Sequence, residues 1–200
     1  MKALAVLSLI AAVSLAQEVV PLDEAQRGAR KVTDTLGKPS DAPFTTEVDI
    51  TKPQAIRAGK VGLLIIPDKT LTLETLGRAS DSITPIGQLW TLNVSLGKNG
   101  EPAPNDKIRF LTVSDGEKDL EVQLYFVGAT KNAEGKLELV VFAKDKEPLI
   151  RVPLAEADTT STQNLPIEIS GRKDDDNTGT LSLKVLGHFA ADLTVKRPAE

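Results

Sequence analysis

The sequence contains no cysteine among its 200 residues, and it contains one histidine, His188. Without cysteine the chain can form no disulfide, no thiolate nucleophile and no cysteine-ligated zinc or iron–sulfur site. A single histidine leaves catalytic triads and histidine-based metal sites dependent on one side chain, so we interpret His188 as an ordinary surface or edge residue. Packing and hydrogen bonds must therefore stabilise the fold, which a chain of this length can support.

Positive charge and long apolar runs are also limited. The chain carries 24 lysines and arginines against 28 aspartates and glutamates, a net charge of −4, and the charges are scattered. No basic stripe is present to neutralise phosphates, so we expect no nucleic-acid partner. After residue 16 no apolar stretch approaches the roughly 20 residues of a transmembrane helix, and we expect no stable membrane insertion.

The first sixteen residues are ordered like a secretory signal peptide. Lys2 supplies a positive start, residues 3–13 form a run of apolar and small side chains, and Ser14 and Ala16 place small residues at the −3 and −1 positions of a cleavage site. Segments of this kind are removed on export. The sequence therefore predicts a signal peptide over 1–16, a mature chain that starts at Gln17, and a periplasmic or extracellular location.

A helix is predicted for Leu22–Leu36, inside an N-terminal helix and linker region that we place at 17–43. Its apolar residues recur at spacings of three and four, which gathers them on one stripe. Gly37 and Pro39 follow and favour termination of the helix. Because much of the stripe is alanine, we expect the helix to need a surface on which to dock.

From Phe44 the apolar period changes from 3.6 to 2, which is typical of strands. Turn residues such as those at 132–135 separate the segments, and no crossover helix interrupts them. The sequence therefore predicts an all-β fold over 44–200, an antiparallel β-sandwich of immunoglobulin-like or jelly-roll-like type. The predicted strands are Phe44–Ile50, Val61–Ile66, Leu71–Glu74, Trp90–Leu96, Ile108–Val113, Leu120–Phe126, Leu137–Phe142, Pro148–Val152 and Leu165–Ser170.

Some of these segments carry more specific expectations. Val61–Ile66 is nearly all apolar, which indicates a strand buried on both faces. The apolar residues of Trp90–Leu96 alternate, so we expect all of them on one face of one strand. In Leu120–Phe126 we place Gln123 and Tyr125 on the face opposite the apolar residues.

The C-terminal segment keeps one alternating register from Leu181 to Val195, which is long for a single flat strand. Gly187 lies in the middle of the segment, where a missing side chain permits a bulge or kink. We therefore predict one strand that bends at Gly187 and passes from one sheet to the other.

The densest run of side chains with oxygen atoms that could bind a metal is at residues 174–179, between two predicted strands. We call this segment the acidic loop. As a calcium loop it would use Asp174, Asp176 and Thr178, because calcium takes oxygen atoms at alternate positions. Position twelve of the helix-loop-helix pattern falls on Val185, which has no carboxylate to complete the site. Two interpretations stay open, a looser calcium site at the edge of the sandwich and a solvated hairpin loop. We expect no cofactor other than this calcium.

Two catalytic patterns are weaker candidates. Ser95 and Lys98 match the Ser-x-x-Lys motif of penicillin-recognising enzymes, but that motif needs a helical turn and Ser95 ends a predicted strand. Glycoside hydrolysis needs two carboxylates about 5–9.5 Å apart, and a glycosidase would bring two of the predicted strand glutamates together beside an aromatic ring. The candidate glutamates are Glu74, Glu121, Glu138 and Glu168.

These exclusions favour a non-enzymatic binding or structural protein of the cell envelope or extracellular space. We expect it to contact a protein or glycan partner through sheet edges or loops. The alternative is a glycan-acting enzyme or a lectin-like domain, supported by calcium at the acidic loop. A binding module should lack a deep pocket lined by paired carboxylates, whereas a glycosidase requires one.

Overall fold

The computed structural model describes residues 17–37, 39, 41–80, 82–98, 101–114, 116, 118–157 and 165–197. These residues form two packed, mainly antiparallel sheets, with one 15-residue helix and one shorter helix, which confirms the all-β sandwich with a short N-terminal helix. The predicted signal peptide lies outside the described residues, so its removal stays a prediction. No helix in the described ranges is both long enough and apolar enough to cross a bilayer.

The first sheet has eight strands. These are β1 (Glu18–Val19), β2 (Gln54–Ala58), β3 (Val61–Pro67), β4 (Thr84–Leu92), β7 (Arg109–Ser114), β8 (Asp119–Lys131), β9 (Leu137–Phe142) and β10 (Ile150–Pro153). Their spatial order is β1-β2-β3-β4-β8-β9-β10, and β7 pairs with the N-terminal part of β8. The interior position of β9 explains why Leu137–Phe142 is an apolar strand.

The second sheet has six strands. These are β5 (Ser95–Lys98), β6 (Glu101–Pro102), β11 (Ala155–Glu156), β12 (Ile167–Lys173), β13 (Thr178–Val185) and β14 (Phe189–Lys196). Their order is β12-β13-β14-β5-β6, and β11 pairs with β14. The helices are α1 (Leu22–Leu36) and α2 (Leu73–Gly77), and a single 3-10 turn covers Asn105–Lys107. The bounds of α1 agree with the sequence prediction, and the N–H of Gly37, at φ 61°, closes its last turn.

The first sheet is buried on both faces, because different elements cover each side. Alternate residues of β8 enter two clusters: Tyr125 and Val127 face the second sheet, while Leu124 and Phe126 face outward beneath α1 and the segment 42–50. The prediction for Val61–Ile66 is confirmed. Tyr125 lies opposite Leu124 and Phe126 as predicted, and its face is buried between the two sheets. The strand propensity of these residues could not reveal that a distant N-terminal segment covers the outer face of the first sheet.

A buried hydrogen-bond chain accounts for the polar residues inside the sandwich. The Tyr125 hydroxyl donates to Gln123 Oε1 at 2.6 Å, and Gln123 Nε2 donates to the Ser95 hydroxyl at 2.8 Å. The Leu96 N–H donates to the Tyr125 hydroxyl at 3.3 Å. Burial raises the pKa of Tyr125, so its hydroxyl stays protonated and available as a donor. These hydrogen bonds connect β8 of the first sheet to β5 of the second.

The chain passes from the first sheet to the second at Asn93, and it does not change sheet at Gly187. Asn93 adopts a φ of 56°, and its side-chain amide donates to the Lys60 carbonyl at 2.8 Å. Trp90 therefore lies in the outer cluster and Val94 in the cluster between the sheets. The prediction of one strand with a single apolar face over Trp90–Leu96 is wrong, because the chain changes sheet within it.

The C-terminal alternation belongs to a hairpin rather than to one bent strand. Strands β13 and β14 pair from Thr178↔Lys196 to Val185↔Phe189, and the intervening turn has positive φ at Leu186 (54°) and Gly187 (67°). Gly187 thus marks the turn, as its missing side chain suggested, but the chain reverses within one sheet. The prediction of a sheet-crossing bend here is wrong.

Two other predicted strands adopt different structures. Phe44–Ile50 forms one isolated bridge, Val48↔Asp68, and the Asp68 carboxylate accepts the Glu47 N–H at 2.8 Å in place of a strand neighbour. In the segment Leu71–Glu74, a capping box starts α2. The Thr72 hydroxyl accepts the Thr75 N–H at 3.1 Å, and the Thr75 hydroxyl accepts the Thr72 N–H at 2.9 Å.

Glutamine side chains meet the edge strand β12. Gln54 Oε1 accepts the N–H of Ile169, and Gln17 Oε1 accepts the N–H of Gly171. These N–H groups are two residues apart on the edge that β13 leaves unpaired. The first sheet thus contacts the second along this edge through side-chain amides rather than through a strand ladder. Strand β12 is an edge strand of the second sheet, which suits the preceding Pro166 because proline has no N–H to donate to a strand ladder.

Candidate functional site

Helix α1 lies across the outer face of the first sheet, next to β2, β3 and β7. Its buried residues are small, with Ala25 and Ala29 beside Val32, so the helix approaches the sheet without filling the space beneath it. At the N-terminal side, the pairing of β1 with β2 holds the start of the helix against the sheet. The alanine stripe that predicted a docking surface is therefore docked, but loosely.

A cavity of about 450 Å³ remains between α1 and the sheet, and we call it the helix cavity. Its floor is an apolar patch of the sheet that includes Leu64, Trp90, Leu92, Leu120 and Val122. Its roof is the helix face that carries Ala25, Gly28 and Val32. The volume lies within the range of about 300–1,000 Å³ that is usual for ligand pockets.

The floor contains one polar group without a partner. Trp90 is 2% exposed, and its indole Nε1 is buried with no hydrogen-bond partner among the described residues. Leaving a buried donor unsatisfied commonly costs about 1–3 kcal/mol, and each such group in a native fold calls for an explanation. The apolar ring of Trp90, rather than this buried N–H, forms part of the cavity lining.

The rim of the helix cavity is charged. Arg57 binds both carboxylate oxygens of Glu18 at 3.0 Å and contacts Glu24 at 3.3 Å. Those hydrogen bonds hold the pKa of Glu18 below its ordinary value and raise the pKa of Arg57. Arg27 contacts Asp23 at 2.7 Å, and the Lys31 ammonium group makes no hydrogen bond or ion pair within the described chain. The rim thus offers one cation that no protein carboxylate occupies.

No family model, curated protein or solved structure matches this chain. The function must therefore be argued from the geometry of its own residues.

A second cavity, of about 440 Å³, lies between the β2–β3 end of the first sheet and the β12–β13 hairpin, and we call it the hairpin cavity. Residues Asp175, Asp176 and Thr178 of the acidic loop line it, together with Arg172 and Arg197. The hairpin cavity is more polar than the helix cavity because this charged loop forms one of its walls.

The carboxylates of the acidic loop bind partners within the hairpin. Asp174 accepts from the Thr180 hydroxyl at 2.7 Å and from Arg172 at 2.9 Å, which lowers its pKa. Asp176 contacts Lys173 at 2.7 Å, while the Thr178 carbonyl accepts the N–H of Asp174 at 3.0 Å. The described residues contain no group of three or more acidic or histidine side chains placed to hold a metal.

These partners predict that calcium leaves the stability of the protein unchanged. The melting temperature measured with calcium should equal that measured with a chelator, because Asp174 and Asp176 already contact Arg172 and Lys173 and no third acidic side chain of the described residues is placed to bind a metal with them. A site bound at 100 times its Kd would add about 2.7 kcal/mol and raise the melting temperature by about 5–10 °C. An increase of that size would establish the calcium loop of Asp174, Asp176 and Thr178.

The remaining candidates lie apart from each other. His188 is exposed in the β13–β14 turn, in agreement with its interpretation as a surface residue. Ser95 lies in β5, where its hydroxyl accepts from Gln123 rather than forming a helical Ser-x-x-Lys pair. The four glutamates lie in four different elements, and none of them lines either cavity. They are Glu74 in α2, Glu121 in β8, Glu138 in β9 and Glu168 in β12.

The sequence analysis missed the helix cavity. Its signal was the contrast between a helix stripe built of alanine and glycine and an opposing strand that carries the only tryptophan. Small side chains facing large ones leave room at an interface when the backbones cannot approach further. That contrast becomes informative only once the topology places α1 over β4.

Proposed function

We propose that the protein is an exported, non-enzymatic binding protein that holds a small apolar molecule in the helix cavity. The observation that carries the proposal is an apolar space of about 450 Å³ between α1 and the first sheet, with the ring of Trp90 in its floor. Apolar lining with a small number of placed polar groups is the usual composition of a ligand site. Export rests on the signal-like order of residues 1–16.

The distribution of carboxylates supports binding over glycoside hydrolysis. The helix cavity contains an aromatic ring, Trp90, but Glu24 is its one lining carboxylate and contacts Arg57. The hairpin cavity contains Asp175 and Asp176 but no aromatic residue. Neither cavity therefore combines the carboxylate pair and the aromatic platform that the glycan-acting alternative requires.

Fluorescence quenching tests the proposal, since Trp90 is the sole tryptophan of the chain. We expect a brominated long-chain alcohol, used below its micelle-forming concentration, to quench Trp90 saturably, because bromine atoms quench indole on contact. In Gly28→Leu a bulky side chain enters the cavity from the helix and takes up space that the probe needs. The affinity for the alcohol should therefore fall by about tenfold or more, which corresponds to about 1.4 kcal/mol of binding free energy.

Gly28→Ala is the matched control. A β-carbon on Gly28 would lie 3.9 Å from Leu64 Cδ2, an ordinary contact, so alanine should leave most of the cavity open and the quenching intact. Equal quenching in the wild type and Gly28→Leu would place the probe elsewhere and contradict the proposal. Absence of quenching by both the alcohol and the matching fatty acid would also contradict it.

A further inference from the structure

We infer that the ligand of the helix cavity is an amphiphile whose anionic head group binds Lys31 at the rim. The inference rests on the proposed function, because it names the chemical class of the ligand that the cavity holds. Its basis is the pairing of charges at the rim, where Lys31 is the one of three lining cations, Arg27, Lys31 and Arg57, that contacts no carboxylate of the described chain.

Two of these cations already have carboxylate partners. Arg57 contacts Glu18 at 3.0 Å and Glu24 at 3.3 Å, and Arg27 contacts Asp23 at 2.7 Å. Each of these carboxylates therefore contacts a cation, with Glu18 and Glu24 sharing Arg57. A cationic head group would therefore find no free carboxylate there, and a neutral head group would gain no charge contact.

Lys31 is the rim cation whose ammonium group has no partner in the described chain. It lies three residues after Gly28 and four after Arg27, so the three residues share the helix face that borders the cavity. The flexible lysine stem can extend along the apolar roof and keep the ammonium group at the water-facing rim. An apolar chain inside and an anion at Lys31 would satisfy both environments.

The test compares two probes of equal chain length, a brominated fatty acid and the corresponding brominated alcohol. Quenching of Trp90 by each probe is titrated in the wild type, in Lys31→Glu and in Lys69→Glu. Lys69 is an exposed residue that does not line the helix cavity, so its reversal matches the change in net charge without changing the rim.

Lys31→Glu should weaken binding of the acid by about tenfold, as expected when one close ion pair is removed. Its affinity for the alcohol, and the affinity of Lys69→Glu for either probe, should stay within about twofold of the wild type. If Lys31→Glu binds the acid as tightly as the wild type while the alcohol still quenches, the inference fails and the proposed function stands. If neither probe quenches the wild type, the proposed function fails and the inference fails with it.

Discussion

Replacing Phe126 by alanine is expected to lower the free energy of unfolding by about 3–5 kcal/mol. Phe126 is fully buried on the outward face of β8, where its ring meets that of Phe44 edge to face at 6.1 Å. Phe142 meets the same Phe44 ring at 5.5 Å, so the truncation would leave a void beside two aromatic neighbours. Urea unfolding followed by circular dichroism measures the change.

Phe110→Ala is the matched control for this prediction. Phe110 lies in β7 of the same sheet but is 37% exposed, so much less of its surface leaves water on folding. Its truncation should cost well under half as much as that of Phe126, about 1 kcal/mol or less. Equal losses of stability for the two variants would show that the outer face of the sheet is not a second core, and would remove the floor on which the helix cavity depends.

A second large effect is expected for Gly87→Ala, which should lower the free energy of unfolding by about 3 kcal/mol. Gly87 follows a register shift between β4 and β8, and it lies beside the backbone of β3. A β-carbon there would come closer to the Ile66 carbonyl oxygen than real β-carbons do, and would lie 3.0 Å from Pro67 Cα. Backbone atoms in the middle of a sheet cannot rotate away, so the strands would have to separate.

Replacing glycine by alanine at Gly28 should change the free energy of unfolding in the opposite direction. Gly28 lies inside α1 with only Leu64 near its missing β-carbon, so Gly28→Ala should raise the free energy of unfolding by about 0.5–1 kcal/mol through helix propensity. Thermal melting of both variants beside the wild type provides the comparison. If Gly87→Ala has the same melting temperature as the wild type, then β3 and β4 do not approach as closely as described.

Local pattern was sufficient to predict most strands and the bounds of α1. It failed where one pattern fits two topologies. In the β13–β14 hairpin, Val185 pairs with Phe189, four residues later in the chain. Because paired residues are an even number of positions apart, the apolar residues of the hairpin alternate just as they would in one continuous strand. Only the pairing of Thr178–Val185 with Phe189–Lys196, a long-range property, separates a hairpin from a bend.

The candidate site depended even more on long-range structure. Trp90 is buried beneath α1, and this position follows from the order of strands rather than from its neighbours in sequence. Likewise the free ammonium group of Lys31 becomes informative only when Arg57, from β2, is seen to hold Glu24. By contrast, the acidic run at 174–179 was visible in the sequence, and its internal ion pairs were not.

The amide groups of Gln17 and Gln54 have a consequence for how the molecule behaves among its own copies. An exposed edge strand with free N–H groups can pair with a strand of another polypeptide, which extends the sheet and can lead to fibrils. Here two of those donors, on Ile169 and Gly171, are occupied by side-chain oxygens from the same chain. A second molecule that paired with this edge strand would first have to displace both glutamine side chains. The two hydrogen bonds therefore disfavour polymerisation of the protein through this edge.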